Sequence, residues 1–286
     1  MDAQGGGRWV RGGARGRAAT ALIVVALTAG TGLGCRGAGE ATDTMVPRWW
    51  RGNPWGPAAN AARVRGELPT VPNNPDMDAW AVWGKTHLRE GDILFRMGDA
   101  RAVLGLLPFS RISAAIAGSR FSHSGIVAFE GGEPVVYDTT TTGPQRQPFR
   151  IWVLDARGSI AVKRPKAPYQ HFVPSAVAFC RAAYQAQVPF DYNMKLGDEK
   201  FYCIELTERS YRQAGLPLSR AIRLDQLPRY HDYPKVVRLL KRFTSMVPGQ
   251  EAYVIGNESI GIWSSPALDL VYEAPDARRP VTTVRK

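Results

Sequence analysis

Apolar and polar positions alternate with a period of two in several short runs of this chain, and with a helical period in others. Gly91 to Arg96 predicts a strand after a turn, and Ser122 to Phe129 a second strand. A Gly131-Gly132 turn leads into a third, Glu133 to Thr139. Phe149 to Leu154 and Ser159 to Lys163 read as two more strands, and Ile260 to Ile262 and Leu268 to Tyr272 as late ones. Helices are predicted over Asp78 to Lys85, Pro174 to Gln187, Cys203 to Ala214 and Tyr233 to Met246, and over Val103 to Ala117 with a break at Pro108. Gly215, with Pro217 behind it, ends the helix from Cys203. The stretch from Gly143 to Arg150 reads as a loop. Hairpins mixed with helices imply an α+β fold, an antiparallel sheet packed against helices, rather than a doubly wound parallel one.

The same pattern divides the chain. Arg8, Arg11, Arg15 and Arg17 precede an uncharged run from Ala18 to Gly34, the layout of a secretory signal over residues 1–34. Cys35 follows at once and resembles a lipoprotein's acylated cysteine, although Gly32 stands where Leu is usual. Residues 35–78, rich in Pro, Gly and Asn, read as a lipidated or flexible tether; Trp49, Trp50 and Trp55 there are taken to dock on the domain. The domain is expected over 79–275, with a disordered tail over 276–286. Removing the leader's four Arg and one Asp from the net +12 leaves about +9. An exported basic chain points to the bacterial cell envelope, on the periplasmic side, and away from nucleic acid. The cationic side chains Lys235, Arg238, Lys241 and Arg242 are read as a solvated helix face.

Once Cys35 is set aside, Cys180 and Cys203 are too few for a disulfide framework. The four histidines show no metal-ligand spacing, so neither a metal nor another cofactor is expected. What remains is a thiol, Cys203, at a predicted helix start and an imidazole, His123, on a predicted strand, the parts of a cysteine-nucleophile hydrolase. The helix start and an imidazolium would both lower the pKa of the thiol. A two-residue turn at Gly131-Gly132 pairs Glu130 with Glu133, and counting outward sets Gly125 opposite Asp138. Asp138 then neighbours His123 diagonally and can hold its tautomer, with Thr140, directly opposite His123, in reserve. Asp92 has two readings, a turn-stabilising carboxylate or a substrate-binding group; Tyr202 is weighed as an oxyanion contact but read as packing.

Phe-Ser-His-Ser-Gly-Ile-Val (121–127), Val-Tyr-Asp-Thr (136–139), Phe-Tyr-Cys-Ile-Glu-Leu (201–206) and Ser-Pro-Ala-Leu-Asp-Leu-Val-Tyr (265–272) carry a resemblance. They resemble the YiiX/YebB-like permuted papain-like hydrolases, relatives of the NlpC-type peptidases. The resemblance spans roughly Gly91 to Tyr272. It implies a circularly permuted papain-like fold, Cys203 as nucleophile, His123 as base and Asp138 where the family commonly has Glu. Ile204 departs from the family's usual Ser after the Cys. The implied activity is amide or ester hydrolysis on cell-wall peptides, with lipid acyl bonds second. Acyl transfer, or a non-catalytic envelope lipoprotein binding peptide or lipid in the same cleft, are the alternatives.

Overall fold

In the computed structural model of the chain, residues 62–63, 65–68, 75–98, 100, 108–197, 199–243, 247–277 and 280 are described. The expected leader, Cys35, the tether tryptophans, residues 101–107 and 244–246, and the last six residues lie outside them.

Six strands form one sheet in the order β4-β3-β2-β1-β5-β8, with every neighbouring pair antiparallel. β1 is Ile93–Arg96, β2 His123–Glu130, β3 Glu133–Thr140, β4 Gly143–Pro148, β5 Ile160–Pro165 and β8 Leu268–Ala274. A separate two-stranded ribbon joins β6, Ile222–Arg223, to β7, Glu251–Ala252.

Strand alternation sends side chains to two helical layers. Ile93, Phe95, Ile126, Ala128, Val135 and Tyr137 meet α4 (Val173–Gln185) and α5 (Glu205–Ala214) on one face. Leu94, Val127, Val136 and Val162 meet α1 (Pro75–His87) and α3 (Phe149–Trp152) on the other. α2 (Phe109–Ile116) and α6 (Pro234–Phe243) lie outside this sandwich. Trp80 of α1 donates from Nε1 to the carbonyl of Ala277 at 2.9 Å, so the packed unit reaches Ala277, two residues past the expected boundary at 275.

Three stretches differ from the sequence expectation. Phe149 to Leu154 is helical: α3 runs into a 3-10 turn at Val153–Asp155. Phe149, Trp152 and Val153 fall at i, i+3 and i+4, a helical stripe, and all three are buried. β4 replaces the expected loop. Its Gly-Pro-Gln-Arg-Gln-Pro sequence has no apolar alternation, and its prolines sit where only an edge strand tolerates them. Ile260 to Ile262 is not a strand; Ile262 opens a 3-10 turn, Ile262–Ser264, after Gly261 at φ 77°. A Cβ there would lie 2.4 Å from the carbonyl oxygen of Ile255.

Candidate active site

His123 is the first residue of β2 and faces Arg96, the last of β1. The β2–β3 register pairs Glu130 with Glu133 and Ile126 with Tyr137, the count made from the two-glycine turn. Arg96, His123, Gly125 and Asp138 therefore share the sheet face that carries Leu94 and Val136. Asp138 Oδ2 lies 2.7 Å from His123 Nε2. The gap between them is kept by Gly125, where a Cβ would stand 2.6 Å from Val136 Cγ1 and 3.2 Å from Asp138 Cβ.

Asp138 is fully buried and has more than one partner. Trp152 Nε1 donates to Oδ2 at 2.9 Å, and Gln147 Nε2 donates to both oxygens at 3.4 Å. Arg96 lies 3.8 Å from the same carboxylate and 3.6 Å from Asp155, stacks over the Trp152 ring at 4.2 Å and donates to the Trp152 carbonyl. An ionised carboxylate only accepts hydrogen bonds. His123 Nε2 therefore carries the hydrogen, and Nδ1 keeps its lone pair.

Cys203 stands on a turn just before α5, which begins at Glu205 rather than at Cys203 as expected. It is a free, partly exposed thiol. The backbone N–H groups of Ile204 and of Cys203 itself reach its sulfur. Burial nevertheless pushes the thiol up to about 12; Asp138's charge adds to the rise, and Arg96 and the two N–H groups oppose it. The sequence led us to expect a lowered pKa. The helix-start donors are present, but desolvation outweighs them. That Cys203 responds to both Asp138 and Arg96 puts it in the electrostatic neighbourhood of the His123 pair.

Residues 87–272 match the sequence model of the permuted papain-like amidases, the YaeF/YiiX, C92 family. The chain belongs to this family. It is a cysteine hydrolase of the amidase type with the permuted papain-like α+β fold. Its fold is also that of a solved structure described as metalloprotein YiiX from Escherichia coli O157:H7. The TM-score is 0.53 at 18% identity, over 66% of this chain and 98% of that one. No curated protein matches. Among the described residues here, no group of three His, Cys, Asp or Glu side chains is placed to hold a metal ion.

Within this amidase fold the other expected site residues fall elsewhere. Asp92 is buried and takes two hydrogen bonds from Arg164, both at 2.7 Å, and one from the Arg89 backbone at 2.8 Å. It lies four residues before Arg96, about 13 Å along the strand from the His123 end. Buried and paired in this way, it is placed apart from the His123 pair. Tyr202 is buried, with its hydroxyl donating to the Tyr253 carbonyl at 3.1 Å and accepting from the Tyr253 N–H at 2.6 Å. It packs, and no free hydroxyl remains for an oxyanion. Thr140 bonds Gln145 and Thr142 rather than His123.

Arg96, Gln147 and Trp152 were missed by sequence reasoning. Arg96 was legible in principle, as the polar end of an otherwise apolar strand. Gln147 and Trp152 are hidden because the pattern around them predicts a loop and a strand.

Proposed function

We propose that Cys203 is the nucleophile, His123 the general base and Asp138 the carboxylate that orients the imidazole. Because the resting thiol is held neutral, His123 Nδ1 takes its proton during attack rather than forming a resting ion pair. The Sγ–C bond forms at a carbonyl, and the tetrahedral oxyanion is held by the backbone N–H of Cys203 or Ile204. The amine or alcohol leaves with the proton from His123, and water then hydrolyses the thioester. The observation that carries this reading is the buried Asp138 at 2.7 Å from His123 Nε2, buttressed by Trp152. A non-catalytic binding module has no use for such an arrangement.

The basic leader and Cys35 support a reading of export and acylation, as a lipoprotein on the periplasmic side of a membrane. There a cell-wall peptide amide is the substrate class expected from sequence, with a lipid acyl bond second. An apolar groove lined in part by Ile204 and Ser122 favours the second.

Iodoacetamide labelling of Cys203 across pH, in the wild type and in His123→Ala, tests the catalytic assignment. The wild type is expected to label at neutral pH about 10²–10⁴-fold faster than the variant, the usual range for a positioned base. A thiol that is inert, or indifferent to His123, sinks the assignment and puts the binding lipoprotein first. Cys35→Ser is expected to release the protein from the membrane fraction; retention there rules out the anchor.

A further inference from the structure

An apolar groove of about 120 Å³ is lined by residues of α2 and α6 together with Ile204 and Ser122. Ile204, next in sequence to Cys203, and Ser122, next in sequence to His123, form part of its lining. Ile112, Ile116, Leu227, Val237 and Val254 continue it. Lys241 is the one charged side chain lining it among the described residues. With so little polar lining, the groove suits an apolar group. An extended peptide would instead need partners for its backbone amides, and among the described residues a few hydroxyls and Lys241 are all the side chains offer.

Resting on the Cys203 reading above, we infer that the acyl group transferred to the thiol is a long alkyl chain seated in this groove, and that the substrate is a lipid carrying an acyl amide or ester. Cys203 Sγ bonds the acyl carbonyl carbon, and the C–N or C–O bond to the polar part breaks. That part leaves with the proton from His123, and water releases the fatty acid and restores the thiol. The rim helix α6 exposes Lys235, Arg238 and Lys241, a charge that complements the anionic lipid surface supplying such a substrate. Val237 and Lys241 are i, i+4 on that helix, so Lys241 is the cation on the groove wall, while Lys235 lies on another side of the helix.

N-alkyl maleimides of increasing chain length, N-ethyl to N-dodecyl, probe the groove without a known substrate. The rate of Cys203 modification in the full-length protein is read by mass spectrometry relative to glutathione. Each added methylene is expected to raise the rate up to about four-fold, the equivalent of about 0.8 kcal/mol per buried CH₂, until the groove is filled. Val237→Ala lowers that slope, and Val237→Glu flattens it. A wild-type rate that is independent of chain length, with labelling still dependent on His123, overturns the lipid inference and leaves the catalytic assignment standing. Loss of the His123 dependence overturns both. A slope unchanged in Val237→Glu overturns the assignment of this groove.

Discussion

Gly125→Ala adds one methyl group at the point where the site is tightest. Gly125 does not sit at positive φ, so alanine suits the backbone, and the loss of glycine's unfolded-state freedom would by itself stabilise the protein by about 0.4–1 kcal/mol. Against this, the new Cβ would stand 2.6 Å from Val136 Cγ1, 3.1 Å from the Tyr137 carbonyl oxygen and 3.2 Å from Asp138 Cβ. Val136 is fully buried and cannot swing into solvent. Overpacking of this kind costs about 1–3 kcal/mol, so the net expectation is a loss of up to about 2.6 kcal/mol. Relief comes by displacing β3, and with it Asp138. Misplacement of an orienting group by about 1 Å is enough to cost on the order of 10² in rate. Urea unfolding reports the first effect as a lower midpoint at constant slope. Cys203 labelling at neutral pH reports the second. Val136→Ala removes the closest contact, so the double variant is expected to recover part of both losses, with a coupling above about 0.5 kcal/mol. A Gly125→Ala protein of wild-type stability and reactivity, or strictly additive variants, would refute the claim that this glycine makes room for the pair.

Asp138→Asn offers an amide that can donate to His123 Nε2, shifting the ring hydrogen to Nδ1. Cys203 labelling is expected to fall about 10²–10⁴-fold with the fold intact by circular dichroism. Asp92→Ala leaves the half-buried Arg164 without its carboxylate and is expected to cost about 3 kcal/mol or more. Unchanged urea stability together with altered reactivity would return Asp92 to the site. Glu205 is held up at about 7 by burial, which outweighs the Gly197 N–H and Arg209. A carboxyl raised in the folded state contributes stability below its unfolded pKa that is lost as pH rises. Unfolding free energy is therefore expected to decline from pH 4.5 to about 7 in the wild type more than in Glu205→Gln. The prediction fails if the two pH profiles are parallel.

The sheet core was legible because its strands alternate between two helical layers. Ile93 and Phe95 face one, Leu94 the other, and the sequence carries that pattern openly. The neighbourhood of His123 and Asp138 was also legible, since a two-glycine turn fixes register and register fixes which side chains meet. β4 was not. Its prolines and glutamines suggest a loop, and only the neighbouring β3 supplies the ladder that makes it a strand. Trp152 was lost with its segment, where five apolar residues in six fit either period until burial chooses the helix. The thiol's titration was misjudged for a different reason. Motif and helix position announce the groups that lower a pKa, whereas desolvation depends on packing that no local window contains, and the charge of Asp138 comes from distant chain.

The edge position of β4 links chemistry to local stability. Gln147 reaches the Asp138 carboxylate from an edge strand, which among the described residues pairs with β3 alone. Edge strands open at lower free energy than the core they flank. Release of β4 strips the carboxylate of a donor while β1, β2 and β5 stay paired. Catalytic competence is then a property of the margin of the sheet, and warming is expected to silence Cys203 before the protein melts. Hydrogen exchange at residues 143–148 would mark that lower transition.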